Sequence, residues 1–141
     1  MNKTMHALIV EDENPLRRIL TLNLARRGYN VVEADTGEAA LDAVRASVAG
    51  AIPFDLILLD INLPDLSGWD ILRRLRDDPT LATRPPPAVI VMTAVRPHDQ
   101  RVAEFHPDAV LLKPFPIEAL LRLSERVLAK QPAAREEVED G

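Results

Sequence analysis

The 141-residue chain contains no cysteine. That excludes disulfides and thiol chemistry and fits a reducing compartment. It has no apolar run approaching the roughly 20 residues a membrane-spanning helix needs. Nothing at its start is laid out as a signal peptide, because MNKTMHALIV leads straight into a strand-like run. An excess of positive charge is also missing: the formal net charge is −5. Residues 131–141 (QPAAREEVEDG) hold one arginine against three glutamates and one aspartate, which is −3 of that total and leaves −2 for the body. General affinity for nucleic acid or for an anionic membrane surface needs a basic face, so neither is expected as a partner. The arginine pairs Arg17–Arg18, Arg26–Arg27 and Arg73–Arg74 read as solvated helix faces. No internal repeat is visible, and no linker leads to a second folded domain. A hydrophobic content of 47% and a charged content of 28% describe one globular domain. The expectation is a cytoplasmic domain at 1–130, followed by a disordered acidic tail at 131–141.

What the chain does have is four short apolar runs that each stop at a polar residue. HALIV (6–10) ends at Glu11 and Asp12, FDLILL (54–59) at Asp60, AVIVM (88–92) at Thr93, and AVLL (109–112) at Lys113. Continuous runs of Val, Ile and Leu are expected of strands buried on both faces. Helical patterns lie between them, so the strands are predicted to be parallel and joined by crossover helices. All strands of such a sheet end at one edge, where ligand crevices form.

The chain reads as five strand–helix units. Strands are expected at 5–10, 30–34, 54–59, 88–92 and 109–112. In the first helix Asn14 is the expected cap with Pro15 at the first position, Leu16, Ile19, Leu20 and Leu24 recur at helical spacing, and Gly28 supplies a left-handed end. A helix from about 36 to 48 carries Leu41, Val44 and Val48, with Asp35 and Glu38 as a capping pair. Ser67 caps the next, which Asp77-Asp78-Pro79 stops. A short helix at 98–105 and a last one at 116–130, with Ile117, Leu120, Leu121, Val127 and Leu128 inward, complete the pattern. Arg84-Pro85-Pro86-Pro87 is a stiff lead into the fourth strand.

The parallel sheet gathers Glu11, Asp12, Asp60, Thr93 and Lys113 at one edge. Three carboxylates that close are unstable without a counter-ion. An all-oxygen site suits a hard divalent cation, Mg²⁺ (or Mn²⁺). Lys113 supplies a compact charge for a carboxylate or phosphoryl oxygen, and Thr93 a hydroxyl donor. Together they read as a magnesium-assisted phosphoryl-transfer site whose acceptor is a carboxylate. Taken singly, each residue has an ordinary structural explanation: a strand-end Asp is usually a turn or cap residue, and Lys-Pro is common in loops. His6, His98 and His106 lack metal-ligand spacing. Trp69 is expected to pack or sit half exposed, and Leu123 to lie at the core's periphery.

The segments LIVEDE (8–13), LILLDINLPDLSGWDILRRLR (56–76), VIVMTA (89–94) and LLKPF (111–115) resemble, in order and spacing, the receiver domains of two-component response regulators. The resemblance covers about residues 5–130. It implies an α/β fold, a (βα)5 doubly wound parallel five-stranded sheet in flavodoxin-like order 2-1-3-4-5. It implies Asp60 as phosphoacceptor, with Glu11, Asp12, Asp60 and the backbone carbonyl of Asn62 holding the metal. Thr93 and Lys113 would contact the phosphoryl group, and a cis bond would precede Pro114. The implied phosphodonor is a histidine kinase or histidine phosphotransfer protein. The output partner is an unspecified downstream protein, with a second copy of the chain as a candidate. A stand-alone receiver is expected, which catalyses only its own phosphorylation and dephosphorylation.

Two departures bear on output. Receivers usually place Tyr or Phe three residues before the lysine; here that residue is Val110, which has no ring to swing. The stretch from Thr93 to Lys113 is about two residues shorter than the common pattern and carries Phe105-His106-Pro107-Asp108. The loop at 49–53 is slightly extended. The alternative function is a degenerate receiver acting as a constitutive interaction module. An aspartyl-phosphate hydrolase of the haloacid dehalogenase type would need a second Asp two residues past the nucleophile. Asn62 stands there and cannot shuttle a proton.

Overall fold

The computed structural model describes residues 3–130, so the acidic tail at 131–141 lies outside the described residues. Strands β1 (His6–Val10), β2 (Asn30–Ala34), β3 (Leu56–Asp60), β4 (Ala88–Thr93) and β5 (Ala109–Leu112) alternate with helices α1 (Asn14–Arg26), α2 (Gly37–Ala49), α3 (Gly68–Asp77), α4 (Asp99–Phe105) and α5 (Ile117–Ala129). A single 3₁₀ turn, Pro79–Leu81, follows α3. The five strands pair in parallel and the order is β2-β1-β3-β4-β5, the predicted one.

Side-chain alternation along the strands divides the core in two. Leu8, Val10, Ile57, Leu59, Val89 and Val91 face one layer, where Leu41, Val44, Ile71, Leu72 and Phe105 cover them from α2, α3 and α4. Ala7, Ile9, Leu56, Leu58, Ile90 and Met92 face the other, under Leu20 and Leu24 of α1 and Leu120, Leu121 and Val127 of α5. Residues of β3 and β4 are buried on both faces, which is why those runs are continuously apolar. Trp69 is buried, its ring centroid 5.2 Å from that of Phe105. Leu123 is partly buried against the second layer, at the core's periphery as expected.

Several local expectations need correction. β5 is half-buried throughout rather than fully enclosed, because it forms the edge of the sheet and has a strand neighbour on one side only. Helix α1 begins at Asn14 itself. Glu13 occupies the cap position without a side-chain capping bond, and Pro15 lies in the first turn. Ile19 is exposed, because the buried stripe of α1 runs through Leu16, Leu20 and Leu24 at four-residue spacing and Ile19 lies one residue off it. Thr36, not Asp35, caps α2: its hydroxyl accepts from the Ala39 amide at 3.0 Å. Gly28 does adopt the left-handed region (φ +91°) and Ser67 does cap α3. The peptide bonds before Pro85 and Pro114 are cis.

Candidate functional site

Main-chain bonds carry the strand pairings one residue past the strand ends at this edge. The Glu11 amide donates to the Ala34 carbonyl at 3.0 Å, continuing the β1–β2 ladder. The Ile61 amide donates to the Met92 carbonyl at 3.0 Å, and the Lys113 amide to the Thr93 carbonyl at 2.8 Å. The sheet's own hydrogen bonding thus places Glu11, Asp60, Thr93 and Lys113 side by side before any side-chain contact forms.

The side chains then meet. Carboxylate oxygens of Glu11, Asp12 and Asp60 all lie within 4.8 Å of one another. Glu11 and Asp60 are buried, whereas Asp12 is exposed at the mouth. The Lys113 ammonium sits 2.7 Å from Glu11 Oε1 and 3.2 Å from Asp60 Oδ2. The other Asp60 oxygen, Oδ1, accepts from the Asn62 amide at 3.1 Å, and Glu11 Oε2 accepts from the Glu13 amide at 3.1 Å.

One ammonium shared among clustered carboxylates leaves excess negative charge in a place with little water. Burial pushes the Glu11 carboxyl up to about 7, against the pull of Lys113 and the Glu13 amide, and the charge on Asp60 adds to the rise. Burial alone would lower the Lys113 pKa, but the Glu11 and Asp60 carboxylates outweigh it and hold the ammonium above its ordinary value. The donor set is all oxygen, and Glu11 Oε1 is fully buried with the Lys113 ammonium 2.7 Å away. Three carboxylates whose oxygens lie this close, two of them buried, carry more negative charge than one ammonium balances, which fits a hard divalent cation.

Thr93 is at the site but differently engaged. Its hydroxyl donates to the Val95 carbonyl at 3.0 Å and accepts from the Val95 amide at 3.3 Å, closing a turn in the β4–α4 loop. Asn62 lies in the β3–α3 loop, in an isolated antiparallel bridge with Ser67.

Three further residues shape the site and were not singled out for it from the sequence. Arg17 is not a solvated helix-face residue: it donates to the Glu11 carbonyl at 2.8 Å and to Glu33 Oε1 at 2.9 Å, tying the β1–α1 loop to β2. Gly68 packs onto the backbone of Asp60, and a Cβ there would lie 2.5 Å from the Asp60 carbonyl oxygen. Asp65 ties the β3–α3 loop to the start of α2. Val110 borders a cavity of about 470 Å³ between α4 and β5, together with Arg96, Pro97, Asp99, Val102 and Leu112. None of the clustered carboxylates lines that cavity.

A sequence model of the response regulator receiver domain matches residues 7–125. The chain belongs to that family. Among its relatives is "Response regulator ArlR" of Staphylococcus epidermidis (strain RP62A), 35% identical over 127 residues, which is 89% of this chain and 53% of that protein. The same identity and coverage hold for "Response regulator ArlR" of Staphylococcus aureus (strain USA300). The receiver therefore spans about half the length of the curated relatives it matches. A CheY-like receiver structure from Methanospirillum hungatei has the same fold, at TM-score 0.77 and 24% identity, covering 99% of this chain and 100% of that one. The chemotaxis response regulator CheY4 of Vibrio cholerae superposes with TM-score 0.75 at 25% identity, over 89% of this chain and 99% of its own. Among the described residues of the receiver, no helix is long and apolar enough to cross a membrane.

Proposed function

We propose that this receiver is a phosphorylation-dependent signalling switch in the cytoplasm, and that it takes a phosphoryl group on Asp60 from a phosphohistidine on a histidine kinase or phosphotransfer protein. The observation that carries the reading is the cluster of Glu11, Asp12 and Asp60 with Lys113 bridging two of them, at the C-terminal edge of a parallel sheet. Asp60 is the proposed acceptor: it ends β3, with one oxygen on the Asn62 amide and the other on Lys113, the group that would meet a phosphoryl oxygen. A carboxylate oxygen attacks phosphorus, the new O–P bond forms, and the N–P bond breaks with the electron pair returning to the imidazole of the donor.

Glu11, Asp12, Asp60 and the Asn62 carbonyl would hold Mg²⁺ (Mn²⁺ as a substitute), which would neutralise charge shared between carboxylates and phosphoryl oxygens. Lys113 would exchange its contact with Asp60 Oδ2 for a phosphoryl oxygen. Thr93 would release Val95 and donate its hydroxyl to the phosphoryl group. Losing the Thr93–Val95 turn frees the β4–α4 loop, so the added charge becomes a movement that a downstream protein can read. The receiver catalyses only its own phosphorylation and its own hydrolytic dephosphorylation.

A second reading, a constitutive interaction module, is favoured by one observation: Val110 opens onto a cavity where other receivers place an aromatic ring. Labelling separates the two. Incubation with acetyl phosphate and Mg²⁺ should add one phosphoryl group to the intact mass, and chelation should abolish it. A folded protein that takes no adduct under either condition would be the constitutive module.

A further inference from the structure

The β3–α3 loop, residues 61–67, carries Asn62, whose amide holds Asp60 Oδ1. Its base is closed by the Asn62–Ser67 bridge and by the Gly68 amide donating to the Ile61 carbonyl at 2.8 Å. Its tip is fastened to a different element. Asp65 Oδ1 accepts from the Gly37 amide at 2.7 Å, and Oδ2 from the Glu38 amide at 2.9 Å, so one carboxylate clasps both first amides of α2. Oδ1 also accepts from its neighbour Leu66 at 2.9 Å. These α2 amides are orphan donors at a positive helix end, where a carboxylate is the favoured partner. The next one, Ala39, is served by Thr36. Gly37 adds a steric contact, because a Cβ there would lie 2.8 Å from the Leu66 Cβ. Thus α2 and the loop meet with no spare room.

The geometry points to Asp65 as a positioning residue for the metal and phosphoryl site: by clasping the N-terminus of α2 it fixes the loop three residues from Asn62, and so sets where the Asn62 carbonyl and amide stand relative to Asp60. Asp65 does not touch the reacting groups. The α2 amides hold its carboxyl below the ordinary aspartate range, so the clasp is ionised across the neutral range. This inference rests on the proposed Mg²⁺ and Asp60 chemistry, and adds that the affinity for the metal is tuned from α2.

The test compares the wild type with Asp65→Ala, Asp65→Asn and Thr36→Ala. Mg²⁺ affinity is measured by calorimetry, and acetyl phosphate labelling is followed at sub-saturating and saturating Mg²⁺. Asp65→Ala should weaken Mg²⁺ binding about tenfold, as loss of a group supporting a metal ligand commonly does. Its labelling should be slow at low Mg²⁺ and recover largely at saturation. Asp65→Asn keeps one acceptor oxygen and should fall between. Thr36→Ala removes a cap from the same helix end without touching the loop, so it should lower the melting temperature and leave Mg²⁺ affinity unchanged. If Asp65→Ala merely matches Thr36→Ala, with lower stability and unchanged Mg²⁺ affinity, Asp65 is only a helix cap and the inference fails while the receiver chemistry stands. A wild type that neither binds Mg²⁺ nor labels would overturn the chemistry itself, and the inference with it.

Discussion

Asn in place of Asp60 should reduce labelling by acetyl phosphate to background while the protein stays folded. The substitution is nearly isosteric, and the amide oxygen can still accept from either the Asn62 amide or Lys113, which keeps its contact with Glu11. What is lost is the nucleophile, since a carboxamide has no anionic oxygen to attack phosphorus. Glu11 lies deepest in the cluster, with no exposed surface and one oxygen on the Glu13 amide, and Asp12 is exposed at the mouth of the site, so neither is expected to take its place. Intact mass and a circular dichroism spectrum, taken side by side, check both halves of the expectation. An adduct on the folded variant would show that another side chain accepts the phosphoryl group.

The second large effect is expected from a single methyl group. Gly68→Ala should destabilise the receiver by roughly 1–3 kcal/mol, the cost of overpacking a filled site. It should also slow labelling by about 10²-fold, as a displacement on the ångström scale near a reacting centre can do. The added Cβ would stand 2.5 Å from the Asp60 carbonyl oxygen and 2.8 Å from the Ile61 Cα. Both are backbone atoms, so no rotamer change relieves the clash. Relief requires moving the end of β3 or the start of α3, and the first of these carries Asp60, the proposed phosphoacceptor. Denaturant unfolding and the labelling rate at saturating Mg²⁺ measure the two effects separately. Wild-type values for both would mean that α3 can shift without disturbing Asp60.

Most of the site was legible in the sequence because a parallel sheet turns strand-end residues into neighbours. Glu11, Asp12, Asp60, Thr93 and Lys113 each follow or end an apolar run, and the ladder bonds to Ala34, Met92 and Thr93 carry that order into space. What was not legible depends on partners distant in sequence. The carboxylate of Asp65 reaches amides 27 and 28 residues earlier, and a lone Asp after Leu-Pro gives no sign of that. Arg17 reads as one of a surface arginine pair until the Glu11 carbonyl and Glu33 are seen around its guanidinium. The half-exposure of β5 is hidden for a related reason. An edge strand and a central one can share the composition AVLL, so the run itself does not show it, although the expected order 2-1-3-4-5 already puts β5 at an edge. The Asn14 and Asp35 caps failed more locally: Glu13 and Thr36, each a single residue away, hold the cap positions instead.

Val110 leaves an open cavity beside α4, and Thr93 holds the β4–α4 loop through Val95, whose own side chain is 74% exposed. On this account the loop, rather than a rotating ring, carries the change of state, and the Thr93–Val95 turn is its resting lock.

The most direct measurement locates the phosphoryl group. Receiver labelled with acetyl phosphate and Mg²⁺ is reduced with borohydride, which converts an aspartyl phosphate to homoserine, and the modified residue is then mapped by peptide mass spectrometry. Homoserine is expected at residue 60 and at no other position. Conversion at residue 12, or an adduct that borohydride does not reduce, would contradict it.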